Sequence, residues 1–430
     1  MLVLGRALGV LRSRDYRLFW SGSFIANLGV WIQQIALGWL VYDLTRRAAM
    51  LGTVSFCGNA PILFLGLVGG AIADRASLRA IMLGTLGVIA ATALALAVLT
   101  ASGHIVVWHI VVISMVAGSA SALFAPAMQA VIPSLVEPGE LLNAVSLNSV
   151  QFNLARAIGP TLAAFAYGTI GPQGCFALNA AGFLVMILMI ARVRLPRRPP
   201  GAPPPLGRAL REGLVYARRH PVIAPSLLLA AVMSVFGFPY IILLPALARD
   251  TLGLDAAGLG FLMAAVGAGA VAGGLGLSAA GDLPRKDLTA AGCAIAFGIA
   301  LSGFVLVRTV LATLLLLFVL GVLQTVAVAS LNTSIQTAVH DGMRGRVMSM
   351  MTVILFGFAT TGALVIGTLG DRIGVSHALA GGGAVIVLVA TAVLVRAPAA
   401  AGPAAEAAAF ARHGSGEAGP PTARSAPHLK

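Results

Sequence analysis

Charge is scarce in this chain. Asp, Glu, Lys and Arg make up 10% of its 430 residues, against about a quarter in a soluble globular protein. The stretch Ala80–Val136 holds none of the four in 57 residues. Cysteine is nearly absent: Cys57, Cys175 and Cys293 stand alone, which excludes a disulfide framework and a cysteine metal site. Walker-type phosphate loops are missing too, so direct ATP drive is not expected. Acidic residues are half as many as basic ones, 14 against 28.

What fills the chain is apolar. Hydrophobic residues reach 59% and the mean hydropathy is +0.96. A membrane-crossing helix needs about 20 apolar residues. Long continuous runs exclude a closed barrel, whose strands are short and alternate. The sparse charges punctuate twelve candidate spans. In the first half these are 18–42, 48–73, 80–101, 104–134, 141–168 and 174–191. In the second they are 221–248, 256–281, 288–307, 309–335, 347–370 and 375–395. The expected fold is an all-α integral membrane protein, with twelve transmembrane helices in two pseudo-symmetric six-helix bundles.

Domain limits follow. Residues 1–17 form a basic arm with Leu4, Leu8 and Leu11 at helical spacing, suited to a membrane surface. Residues 18–193 and 221–396 are the two bundles. Residues 194–220 are a basic, Pro-rich linker whose end, "LGRALREGLVYARRH", suits a short interfacial helix. Residues 397–430, rich in Ala, Pro and Gly, read as a disordered tail. No cleavable signal peptide is expected. Gln129 and the residues after it weakly match Gln336 and those after it. Gly159 and Gly362 lie 203 residues apart at matching places, the spacing of a two-half transporter repeat.

With the N-terminus inside, inner segments carry 22 of the Lys and Arg residues, outer segments five, and Arg156 falls within a span. This bias places both termini in the cytoplasm. The formal charge of +14 then reflects insertion and anionic lipid, and no nucleic-acid partner is expected.

One turn carries a motif. Gly70-x3-Asp74-Arg75-x3-Arg79, between spans 2 and 3, resembles the signature loop of the major facilitator superfamily. Ser77 and Ala80 depart from its usual form. "RDYRLFWSGSFIANLGVWIQQIALGWLVYDLT" and "NAVSLNSVQFNLARAIGP" resemble the branch of enterobactin exporters and macrolide efflux proteins. The resemblance implies two bundles and alternating access. It also implies that Gly70, Asp74, Arg75 and Arg79 form a latch holding the cytoplasmic side closed. Gly70 would allow close helix approach, and Asp74 would pair with an Arg or with helix N-terminal N–H groups. The alternative is a simple positive-inside turn. Asp282, Arg285 and Lys286 echo the motif loosely in the second half.

Arg156 lies about 22 Å along span 5 at 1.5 Å per residue. An Arg at that depth must face the bundle interior or a wet cavity. It either meets an anionic substrate, tunes a proton site, or joins helices. Asn148 and Gln151, three apart, share its helix and one face. Gly159 and Pro160 resemble a reduced antiporter signature; the alternative is a Pro kink with close packing. In the superfamily the first and fourth helix of each half line the cavity. Carried over, this nominates Asn27, Gln34, Met115, Ser119, Phe236, Tyr240 and Gln324. Each amide has the competing role of bridging helices. Asn59 is placed to satisfy a carbonyl freed by Pro61. No span interior carries Asp or Glu; Asp43, Asp250 and Asp371 lie at span ends. His104 and His109 are expected at the surface.

The expected function is a secondary active transporter of the bacterial inner (plasma) membrane. It is expected to export a small amphiphilic molecule, siderophore-like or drug-like, by alternating access coupled to proton antiport. Alternatives are an importer, a uniporter, a lipid flippase, or a sensor without flux. No enzyme activity, cofactor or metal is expected. The partners are the substrate, protons and membrane lipids, and the transporter is expected to be a monomer.

Overall fold

The computed structural model describes residues 9–73, 77–194, 214–281 and 285–396. Among them every regular element is helical. The helices are α1 (Arg14–Thr45), α2 (Ala48–Ala73), α3 (Leu78–Ala101), α4 (Val107–Val131) and α5 (Leu141–Arg192) in the first half. After a short helix at 214–219 come α6 (Ile223–Thr251), α7 (Ala256–Ala280), α8 (Lys286–Ser302) and α9 (Val310–Ala338). The last are α10 (Asp341–Val353), α11 (Ala359–Ile373) and α12 (Val375–Arg396). Nine helices among the described residues are long and apolar enough to cross a membrane. One of these is α5, whose 52 residues bend at Gly171 with φ 69, a conformation open to glycine. The sequence places the break between its fifth and sixth spans there.

Side chains start several helices. Ser13 accepts from the Tyr16 N–H, Ser77 from Ala80 and Asp255 from Gly258, each satisfying a donor that the first turn leaves free. Three turns wind as π-helix: Met233–Gly237 and Leu247–Thr251 within α6, and Ile354–Phe358 joining α10 to α11. Such bulges concentrate at functional sites. Large apolar side chains cover the outside, among them Phe165, Leu275 and Leu388. An apolar surface of this extent suits lipid rather than water.

Helices pack in matching ways in the two halves. α2 lies along α4 and α3 along α5; α7 lies along α9 and α8 along α12. Gly159 seats against Trp31 of α1, and Gly362 against Val235 of α6. Gly118 meets the Gly58 carbonyl where α4 crosses α2, and Gly321 meets the Val266 carbonyl where α9 crosses α7. A side chain at these crossings would force the backbones apart. The sequence offset between Gly159 and Gly362 therefore corresponds to one packing contact made twice.

Two helix pairs, α2 with α11 and α5 with α7, make the largest contacts between the halves, and α1 also touches α6. The end of the molecule where α1 begins is called proximal, and the opposite end distal. One large apolar core runs through the second half and into the distal part of the first, joining Trp39, Leu51 and Phe176 to Tyr240, Leu259 and Ile366. The proximal part of the first half has a separate core around Tyr16, Phe19, Met82, Leu147 and Ile190. The halves are thus fused distally and packed independently proximally.

Candidate functional site

The interior polar set is built by α1, α5, α6 and α9. Tyr240, fully buried on α6, donates its hydroxyl to Gln324 Oε1 of α9 at 3.0 Å. This bond ties the first and fourth helices of the second half. Arg156 is half-buried and has no ion-pair partner among the described residues. A cation held in this way needs water or an anion for company.

Gln151 donates to Asn148 Oδ1 at 3.0 Å. The i, i+3 pair shares a face, and Gln151 is 1% exposed. Its Oε1 has no hydrogen-bond partner among the described residues. Gln34 is exposed on α1, Asn27 is half-buried, and Met115 is exposed on α4. Ser119 returns its hydroxyl to the Met115 carbonyl at 2.8 Å. Phe236 is half-buried in a π turn, its carbonyl against Gly382. Gly159 and Pro160 are buried, and the Pro160 carbonyl lies against Gly260 of α7. They occupy crossings; the non-helical backbone within α5 comes further on, at Gly171.

The cytoplasmic-turn motif falls largely outside the description. Asp74 and Arg75 lie outside the described residues, as does Asp282, and of Gly70 only its place in α2 is described. Arg79 donates to the Ala191 carbonyl at the end of α5, within its own half. Arg285 pairs with Asp287 at 3.3 Å. Asn59 donates to the Ser55 carbonyl at 2.9 Å rather than to the Cys57 carbonyl that Pro61 leaves free. His109 is half-buried, with Nδ1 shielded and unpartnered.

Sequence reasoning placed the distal carboxylates Asp43, Asp250 and Asp371 at span ends without naming their partners. The structure gives each one a partner across the halves. Arg249 donates to Asp43 at 2.5 Å and its guanidinium stacks 5.3 Å from the Trp39 ring. Tyr42 donates to Asp250. Asp371 accepts from Arg47 Nε at 3.3 Å and from the Ala48 N–H at 2.6 Å. Beside these contacts opens a cavity of about 740 Å³ whose walls include Arg46, Asp250, Arg308, Asp371, Arg372 and His377. Arg and Asp at facing span ends were the available signal, yet only packing pairs them. Asn179 and Gln33 were missed likewise; they share a 2.7 Å bond between α5 and α1.

The family and the relatives that the chain matches are membrane transporters rather than enzymes. Over residues 6–415 the chain matches the family described as transmembrane secretion effector. It belongs to that family, within the major facilitator superfamily. It is 28% identical to the staphyloferrin A transporter of Staphylococcus aureus over 84% of this chain and 90% of the relative. It is 23% identical to macrolide efflux protein A of Streptococcus pyogenes, covering 86% and 93%. It is 26% identical to the enterobactin exporter EntS of Escherichia coli, covering 83% and 85%. Among solved structures, the nucleoside transporter NupG superposes with a TM-score of 0.72 at 13% identity, over 89% of this chain and 98% of that one. At that identity the likeness shows the fold alone.

Proposed function

We propose that this protein exports a small amphiphilic molecule, siderophore-like or drug-like, by alternating access. The observation that carries the reading is the asymmetry of the two ends. A continuous apolar core and cross-half ion pairs close the distal mouth, while the first half keeps its own core proximally. Rocking the halves about the interior polar set would exchange which mouth is closed. Twelve spans are proposed: the nine long helices, with α5 counted twice at its Gly171 bend, plus α2 and the α10–α11 rod. The proximal end is cytoplasmic by the bias of Lys and Arg, which makes the described state inward-facing.

In this reading Arg156, Tyr240 and Gln324 form the centre of the site, with Gln34, Asn27, Met115, Ser119 and Phe236 on its walls. Gln151 and Asn148 stand on the same helix as Arg156. Arg156 attracts an anionic or electron-rich group, and Tyr240 and Gln324 orient it by hydrogen bonds. The relatives that handle siderophores and macrolides support this substrate class. Proton antiport is proposed as the drive, with the carboxylates at the distal mouth as candidate carriers, since the described spans hold no interior acid.

Reconstituted vesicles with an imposed pH gradient test the reading. Adding siderophores, macrolides and cationic dyes in turn should move internal pH for at least one class. A panel that works on a known exporter and leaves this protein silent would sink proton antiport for these classes. Arg156→Ala should raise the KM of whichever substrate responds by about tenfold; an unchanged KM with lowered detergent stability would make the residue structural.

A further inference from the structure

The α2–α11 pair carries one pattern twice. α2 runs into Gly70-x3-Asp74-Arg75, and α11 ends in Gly367-x3-Asp371-Arg372. The two helices are antiparallel, because α2 runs from the distal to the proximal end and α11 the other way. The C-terminal end of α11 therefore lies beside the N-terminal start of α2. At the distal end the consequence is visible. Asp371 accepts from the N–H groups of Ala48 at 2.6 Å and Ala49 at 3.3 Å, the first residues of α2. Its second oxygen takes Arg47 Nε at 3.3 Å. Gly367, one turn earlier, lies against the Ala48 carbonyl, and a Cβ there would sit 2.6 Å from that oxygen. Gly52 likewise seats against Ala363 and Leu364.

We propose that Gly367 and Asp371 are a second latch, the distal counterpart of the Gly70–Arg79 turn, so that one antiparallel helix pair carries both locks of the cycle. The proposal rests on the alternating-access reading. The chemistry of the lock is a carboxylate of one half capping the helix start of the other. Gly367 is required because the cap forms only where the backbones touch. The lock is reversible because water can replace the carboxylate at the Ala48 and Ala49 N–H groups once the halves part. Its residues come from both halves, so opening the distal mouth must break it.

The test is a distance measurement between spin labels in nanodiscs. Labels go on Val106 and Leu306, exposed residues at the distal end of the first and second half respectively, with the three native cysteines replaced. Asp371→Ala should raise the distal-open to distal-closed ratio about tenfold, the scale of losing a helix cap. Asp371→Asn should shift it less, since an amide still caps but no longer attracts Arg47. Gly367→Leu should open the distal mouth outright. Folded Asp371→Ala protein with the wild-type distribution overturns the latch, whatever the wild type does. If the wild type holds one distance under every substrate and pH while Asp371→Ala opens, the latch stands and the transport reading falls.

Discussion

The distal and proximal ends of this molecule are built differently. At the distal end the halves share a continuous apolar core, and three carboxylates, Asp43, Asp250 and Asp371, each reach a partner in the other half. At the proximal end the polar contacts of α1 stay at home: Tyr16 donates to the Ala144 carbonyl at 2.8 Å and Trp20 to the Leu147 carbonyl at 3.1 Å. In the second half Tyr216 of the 214–219 helix accepts from the His340 N–H at 3.2 Å. The contrast teaches how a closed mouth is held without being sealed for good. Apolar area supplies most of the adhesion, while the ion pairs, partly open to water, set register at small energies.

The largest break in this contrast is expected from bulk. Gly260→Leu would drive a side chain of α7 into Ala164 and the Pro160 carbonyl of α5. Overpacking costs about 1–3 kcal/mol, all of it charged to the distal-closed state. Transport should fall tenfold or more and the spin-label distance should lengthen; a normal rate would show that α5 and α7 need not meet.

Next comes the interior bond. Tyr240→Phe leaves the buried Gln324 oxygen without its donor, at a cost of about 1–3 kcal/mol. Substrate KM in vesicles should rise about tenfold. A lower melting temperature with unchanged KM would assign the pair to structure alone.

Charges at the two mouths should act in opposite directions. Asp74→Asn is expected to slow transport several-fold by weakening the proximal latch and favouring the inward-facing state. Asp43→Asn, which removes a partly exposed pair with Arg249, should favour the outward-facing state by less than about 1 kcal/mol. Equal shifts of the same sign in the distance distributions would contradict the two-latch picture.

The smallest effect concerns His220, at the proximal entry to α6. Its Nδ1 accepts from the Val222 and Ile223 N–H groups at 3.3 and 3.4 Å, and burial lowers its pKa from the usual 6.5. The unfolded chain takes up this proton more readily than the folded one. Its contribution to stability is thus full above about pH 6.5 and declines as pH falls below that value. Melting in detergent between pH 7.5 and 5 should show a larger drop for wild type than for His220→Asn, which keeps a capping acceptor.

Helix positions were legible in the sequence because membrane insertion is a one-dimensional rule. Runs such as Leu78–Ala101 and Val375–Arg396 are predominantly apolar, with their charges at the ends, and a capping Ser marks the start of the first. Gly159 and Gly362 were legible as a repeat because both halves need a bare backbone at the same crossing. The shared face of Asn148 and Gln151 followed from helical period alone. Which half of the chain would answer Asp43, Asp250 and Asp371 was not legible. Those partners lie roughly two or three hundred positions away, and nothing local distinguishes a carboxylate that meets lipid headgroups from one that caps a neighbouring helix. The same holds for Gln33, which finds Asn179 while adjoining Gln34 stays exposed.

By itself, then, the sequence determined a helical membrane protein in two halves, since hydropathy and charge bias act on each segment as it meets the bilayer. Tertiary structure alone decided which mouth is closed and which polar groups close it. That choice depends on pairs of helix ends brought together by packing across the halves, where the free energy of a contact belongs to neither segment alone.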